Sequence, residues 1–345
     1  MHRILAKSPK AVEALNLVEE IQHYFVSKLD TLSQEYGEKC QFQPVEWFRQ
    51  NGDHGGGVRY EACDETLFNQ GSVNVSQVQY DSNPEKNLAS ATAISTIIHP
   101  LNPHAPSMHM HISWTELKDG KGYWRMMADL NPSISNADHT KTFTQMLKNL
   151  APQHTKEALD QGDKYFFIPA LNRHRGVAHF YLENFNSGDA QADYNLAKKV
   201  GISTVDCYIE LLDKSFQANE IINDEDIQAQ LDYHTLYLFQ VLTLDRGTTS
   251  GLLIHNQNDI GILGSLPNTI NKKLLASWIE KLQDPQDKLL QALVDAMPDK
   301  PTVHINETIK AHLAQAVRTH YQTYPESLSL QASGNSVPPT VANHS

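Results

Sequence analysis

The sequence predicts an α+β protein, a large and mostly antiparallel β-sheet sandwiched by α-helices. Three observations predict it. Residues 107–117 alternate, with Met108, Met110, Ile112 and Trp114 on one face and His109, His111 and Ser113 on the other, the period of a half-buried strand. Long stretches elsewhere repeat apolar residues every three or four positions, the period of a helix with one buried stripe. Hairpin-like links join some strand candidates and single long helices join others. No G-x-G-x-x-G motif follows a strand and there is no phosphate-binding loop, which excludes a doubly wound nucleotide fold.

Taken in order, residues 11–36 form an amphipathic helix, with Val18, Ile21, Phe25, Leu29 and Leu32 on its buried stripe. Gly52 to Gly57 reads as a flexible loop. Gly71–Tyr80 is a strand whose phase changes near Ser76, which predicts a bulge there. Residues 95–117 read as an apolar strand, a Pro-stiffened turn and the alternating strand already described. Further strands are expected at Tyr123–Leu130, Gly176–Phe185, Leu236–Leu244 and Gly251–Leu263. Helices are expected at 136–150, 154–164, 189–218, 269–296 and 306–322, the last capped by Asn306. Residues 1–325 are expected to be a single domain. Residues 326–345, rich in Ser, Asn and Pro, are expected to be a disordered tail.

Composition narrows the function. Of the 345 residues 40% are hydrophobic and 20% charged, as in a soluble globular protein, and the formal net charge is −12. An acidic chain is a poor match for nucleic acid or an anionic membrane, so neither is an expected partner; a small molecule is. No apolar run approaches membrane-spanning length. Cys40, Cys63 and Cys207 are widely spaced and odd in number, a poor disulfide framework, which points to the reducing cytoplasm.

The densest chemistry lies in Ser95 to Trp114. Pro100, Pro103 and Pro106 restrict the backbone around His99, His104 and His109, so those side chains have little entropy left to lose on being placed. A bare His-x-His is more often a polar wall than a site.

The run His99-Pro100-Leu101-Asn102-Pro103-His104-Ala105-Pro106 followed by His109 and an aromatic strand resembles the signature of the oxygen-dependent coproporphyrinogen III oxidase family. Five further blocks resemble that family in order: Gly55-Gly56-Gly57-Val58-Arg59-Tyr60, Phe68 to Ser76, Tyr123 to Pro132, Arg173 to Asn186, and Asp245 to Pro267. The resemblance implies a homodimer that converts two propionates of coproporphyrinogen III to vinyl groups with molecular oxygen and no organic cofactor. It implies that Asp129 meets the pyrrole nitrogens, that His109 donates a proton, and that Ser95 and His99 are substrate-side polar residues. Arg175 matches an arginine of the family's R-R-G block; read without the resemblance it is a surface ion-pair residue with Glu183 as partner.

The chain departs from the pattern in its pocket. The family has Asn and Arg at the positions of His111 and Ser113, three glycines at Arg125-Met126-Met127, an arginine near His255–Asp259, and histidines at Thr144 and Ala170. A charged hydrogen bond contributes on the order of 1.5–3 kcal/mol, so loss of two arginines weakens binding of a tetracarboxylate by roughly two or more orders of magnitude. Arg125 could return one charge. The departures leave three readings open: the family reaction, an oxygen-dependent reaction on a smaller substrate with or without a metal, and a non-catalytic tetrapyrrole-binding protein. In the metal variant His99, His109 and His111 hold iron or manganese, with His104 or Asp129 nearby. The candidate substrate-binding set is Ser95, His111, Ser113 and Arg125, and the candidate catalytic set is His109, Asp129 and Arg175.

Overall fold

The computed structural model of the chain describes residues 2–337 and 340–344. Seven strands form one antiparallel sheet in chain order: β1 (Gln43–Phe48), β2 (Gly55–Glu61), β3 (Phe68–Gln79), β4 (Leu88–Pro100), β5 (Ser107–Leu117), β6 (Gly122–Asn131) and β7 (Ala178–Phe185). The first six are a meander, the arrangement short connections favour. Between β6 and β7 the chain makes two helices, α2 (Ala137–Leu150) and α3 (Thr155–Phe166).

Side-chain alternation divides the sheet into an apolar and a polar face. Val73, Val75, Ile94, Ile98, Met108, Met110, Ile112, Met126 and Phe180 are buried together against α1 (Pro9–Tyr36), α2 and α4 (Ala190–Ala218). The division expected for residues 107–117 is the one observed. Helix α1 starts where Ser8 accepts a bond from the Ala11 amide and Pro9 presets the backbone, a cap that contributes about 1 kcal/mol. Its Gln22 donates to the Val58 and Val73 carbonyls at 2.8 Å each, satisfying a buried amide against the sheet.

The polar face is covered by a second layer. It comprises α5 (Asp224–Thr243), α6 (Arg246–Ile254), α7 (Asp259–Ile262), α8 (Lys272–Ala276), α9 (Gln286–Asp295) and α10 (Glu307–Thr323), with a short ladder of β8 (Thr269–Asn271) and β9 (Thr302–His304). These elements share their own apolar core, to which the sheet contributes Ile97. Asn306 caps α10 as expected, accepting from the Ile309 amide.

Several expectations are corrected. Leu236–Leu244 and Gly251–Leu263 are not strands: the first lies mostly in α5 and the second is divided between α6 and α7. From Tyr233 to Thr243 every residue of α5 is buried, so it carries no amphipathic period and reads equally as a strand. Gly55–Gly57 open β2 rather than a loop. Gly55 has φ +90°, and a Cβ there would lie 2.1 Å from the Gln77 carbonyl oxygen, so the glycine permits a close strand pairing. The bulge in β3 falls between Phe68 and Gln70, whereas Ser76 pairs regularly with Gly57 and Ala93. The expected helix at 269–296 is β8, α8 and α9, with Pro285 at the start of α9.

Cys40 and Cys63 form a disulfide with Cα atoms 6.0 Å apart, a pairing that sequence spacing alone did not favour, while Cys207 is buried. The segment from Glu326, expected to be disordered, is laid along the body over most of its described length. The Ala332 amide donates to the Leu244 carbonyl, Lys164 Nζ to the Gly334 carbonyl and Asn184 to Ser336. A short helix, α11 (Thr340–His344), follows. Polar contacts and a few small or single apolar residues, Leu328 and Ala332, hold this segment, so its composition does not announce its placement. Among the described residues no helix is long and apolar enough to cross a membrane.

Candidate active site

On the polar face the β5–β6 register sets His109 directly opposite Asp129. His109 Nδ1 lies 2.7 Å from Asp129 Oδ1, and Asp129 Oδ2 accepts from Asn131 Nδ2 at 2.6 Å and from an Arg175 terminal nitrogen at 2.7 Å. Arg175 enters from the turn before β7. Its backbone amide donates to the Phe166 carbonyl, its other terminal nitrogen donates to Gln240 of α5 at 2.7 Å, and its guanidinium lies 4.6 Å from the Phe166 ring and 5.1 Å from the Tyr237 ring. The next residue must be glycine: Gly176 has φ +80°, and a Cβ there would meet Asn131 Oδ1 and the Leu130 carbonyl at 2.7 Å.

Asp129 is wholly buried. Burial alone would raise its pKa, but Arg175, followed by His109 and Asn131, outweighs that and holds the carboxyl well below the usual range. The aspartate is therefore ionised and fully engaged. It fixes the His109 ring with Nδ1 as donor and leaves Nε2 to the cavity that His109 lines.

That cavity has a volume of about 200 Å³ and is lined by Ser95, His109, His111, Arg125, Met127, Tyr165, Arg175 and Tyr237 among others. A second lobe of about 250 Å³ shares His111 and Arg125 and extends toward Trp47, Ser113, Tyr123 and His255. Neither lobe alone reaches the roughly 300 Å³ lower end of small-molecule sites, and the two together do. His111 stands opposite Ser95 on β4 and lies 3.0 Å from Ser113 through Nε2. Burial, then the charge of Arg125, push its pKa well below the ordinary histidine value, so it is neutral. Arg125 donates Nε to Glu183 Oε1 at 3.0 Å.

The structure thus brings together Ser95, His109, His111, Ser113, Arg125, Asp129 and Arg175. Two assignments change. Arg175 is paired with Asp129 and not with Glu183, because the regular β6–β7 register continues to set Glu183 beside Arg125. Asp129 is sealed beneath His109 instead of facing the cavity. His99 does not join the set: its two ring nitrogens are taken by Ser107 Oγ at 2.9 Å and the Ser265 carbonyl at 3.2 Å, against the Tyr237 ring. The trio His99, His109 and His111 does not form a ligand cluster. Among the described residues no group of three His, Cys, Asp or Glu side chains is placed to hold a metal. His104 lies elsewhere, 3.1 Å from Glu220.

Tyr165, Tyr237 and Gln240 escaped the sequence reading. Tyr237 and Gln240 lie in the run misread as a strand, and a buried polar residue in an otherwise apolar run was the available signal. Near His255, where this chain lacks the arginine that the family pattern has, Arg49 arrives from the end of β1, its terminal nitrogen 2.9 Å from His255 Nε2.

The profile of the family described as coproporphyrinogen III oxidase matches residues 13–297. The oxygen-dependent coproporphyrinogen-III oxidase of Drosophila melanogaster is 28% identical over 305 residues, covering 80% of this chain and 75% of that protein. The mitochondrial oxygen-dependent coproporphyrinogen-III oxidases of Rattus norvegicus and Homo sapiens are 26% and 27% identical, covering 72% and 73% of this chain. The match spans 63% of the rat protein's length and 59% of the human protein's.

Proposed function

The chain belongs to the coproporphyrinogen III oxidase family, and from that premise we propose that its cavity carries out an oxygen-dependent oxidative decarboxylation of a reduced tetrapyrrole. The observation that carries the proposal is the His109–Asp129 bond of 2.7 Å at the cavity floor, with Arg175 behind it. A reduced pyrrole becomes reactive toward oxygen when its N–H proton is withdrawn. His109 Nε2 is the base that faces the cavity, and Asp129 holds its tautomer and stabilises the imidazolium that forms.

The balance is simple. A propionate that becomes a vinyl group releases carbon dioxide, one proton and two electrons; the electrons pass to O2, which with two protons leaves as hydrogen peroxide. Molecular oxygen is the oxidant in this reading and no organic cofactor is required. Ser95 and the neutral His111 line the wall beside the ring, and Arg125 offers a charge to a side-chain carboxylate.

The reading also carries a homodimer, which the family resemblance implies and sedimentation would test. A cytoplasmic location loses one support, since it leaned on the cysteine spacing and Cys40 pairs with Cys63. The direct experiment is aerobic incubation of the purified protein with fresh coproporphyrinogen III, with products separated by chromatography. A decarboxylated porphyrinogen is expected; folded protein that yields none in air sinks the proposal.

A further inference from the structure

The second lobe of the cavity is walled in part by residues outside 13–297, the stretch that the family profile matches. Its floor is the end of the β5–β6 pair away from His109. Alternation puts Ser113 and Thr115 of β5 opposite Arg125 and Tyr123 of β6, and all four line the lobe. Its outer wall comes from the C-terminal segment. Helix α11 packs on α6, and its Thr340 and Asn343 line the lobe, with Asn343 against the Tyr123 hydroxyl. The segment before α11 is anchored at separate points on the body. Gln331 donates to Thr249 Oγ1 of α6 at 2.7 Å, the Asn335 amide to Gln161 of α3 at 3.1 Å, and Asn184 of β7 to Ser336 at 3.0 Å. Gly334 is buried against Tyr181, and a Cβ there would lie 2.5 Å from Gln161 Oε1, so a larger residue would push the segment off. No aspartate or glutamate is among the described residues that line this lobe; Glu183, which accepts from Arg125 Nε, does not line it.

We propose that α11 is part of the substrate site, where Asn343 and Thr340 join Arg125 in receiving one carboxylate arm on the far side of the macrocycle. The proposal rests on the tetrapyrrole reading above and adds to it the residues that hold the far arm. Four residues of strand separate His109 from Ser113, roughly 13 Å, so a substituted macrocycle whose reacting ring lies over His109 reaches the second lobe with its opposite side. The lobe offers what a carboxylate needs. Arg125 brings the charge, and the Asn343 amide with the hydroxyls of Thr340, Ser113 and Tyr123 are neutral donors. Ser113 stands where the family pattern has an arginine, so in this chain a cluster of neutral donors, two of them from the C-terminal segment, stands in for that side chain.

The test titrates coproporphyrin III, the stable oxidised form of the family substrate, by fluorescence quenching into the whole chain, Asn343→Leu, Thr340→Val and a chain ended after Ser336, which lacks α11. Melting temperatures are recorded alongside, and the two substitutions stand if the shortened chain does not fold. Asn343→Leu should weaken binding about tenfold, the worth of a hydrogen bond to a charged group, Thr340→Val about threefold, and the shortened chain tenfold or more. The tetramethyl ester of the same porphyrin should bind the whole chain and Asn343→Leu alike, since it has no carboxylate to lose. A second measurement needs no tetrapyrrole. Ser113→Cys places a thiol in the lobe, and ending that chain after Ser336 should speed its labelling by a maleimide about tenfold. Coproporphyrin III that binds the whole chain and both substituted chains equally well overturns the proposal and leaves the tetrapyrrole reading intact. Labelling that ignores the loss of α11 overturns it too, because the helix then covers nothing. If the whole chain binds no coproporphyrin III, the tetrapyrrole reading falls and the proposal with it.

Discussion

Two buried arginine–carboxylate pairs lie on the same face of the sheet, and they are built differently. Arg175–Asp129 is sealed: the aspartate has no exposed surface, both its oxygens accept bonds, and the arginine lies between the Phe166 and Tyr237 rings with Gln240 on its far edge. Arg125–Glu183 is open: a single 3.0 Å bond joins them, Glu183 Oε2 has no hydrogen-bond partner, and the arginine lines both lobes of the cavity. The two pairs have the same chemistry but different surroundings. A carboxylate with both oxygens engaged and an arginine with both terminal nitrogens engaged can only hold something in place, and what they hold is the His109 ring. A pair with bonds to spare can meet a ligand.

The largest effect should come from breaking the sealed pair. Asp129→Asn leaves the Arg175 charge buried without a counter-charge, an uncompensated state that costs about 3–5 kcal/mol. Thermal unfolding should drop by many degrees, and activity should vanish with the loss of the fixed His109 ring. Replacing both members with apolar residues, Asp129→Leu with Arg175→Met, should recover most of the stability without recovering activity, since removal of a whole buried pair is often near neutral. If the double variant is as unstable as the single one, the pair matters for packing and not as a charge held in place.

His109→Gln separates the two regions more finely. The side chain meets Asp129 on one edge and the cavity on the other. Turnover should fall about 10²–10⁴-fold, the usual worth of a general base, while the melting temperature moves by only a few degrees. A stability loss as large as that of Asp129→Asn would place His109 in the sealed group and take away its role as the cavity's base.

How much of this was legible depended on which face of the sheet a residue occupied. The β5 alternation could be read because one face meets the apolar core and the other does not, so the period of two survives in Met108 to Trp114. The structure then sets His109 opposite Asp129 through the β5–β6 register, which the sequence does not state. Helices α1, α2, α4 and α10 were legible for the matching reason, since each buries one stripe. Helix α5 was not: it is buried all round at its C-terminal half, and the Gln240 and Tyr237 that finish the site were lost with it. The partner of Arg175 was missed because the β6–β7 register that sets Glu183 beside Arg125 is a property of strand pairing and leaves no local trace. The same holds for Cys40 and Cys63, which the turn between β2 and β3 brings beside the end of α1.

The same division should appear, at smaller scale, in acid. Five histidines have pKa values lowered chiefly by burial: His99 and His234 in the sealed layer, His111 at the cavity, and His139 and His320 on helices elsewhere. Burial comes first among the causes in each case, and it pushes His234 down to about 3. Above about pH 6.5, the unperturbed histidine value, neither the folded nor the unfolded chain protonates these rings and they leave stability unchanged. As pH falls below that value the unfolded state takes up protons that the folded state refuses. Stability is then lost at up to about 1.4 kcal/mol per pH unit for each histidine, until the depressed folded value is reached. Asp129 adds its own loss only lower, below the unfolded carboxyl value near 3.9. Denaturant midpoints measured from pH 7 to pH 4.5 should therefore fall, and His234→Gln should remove one histidine's share of the slope. His111→Gln should remove less, because water in the cavity lets its imidazolium form at higher pH than one in the sealed layer. Equal flattening by the two variants would mean that the cavity is as dry as the core, and would end the distinction between an open and a sealed region.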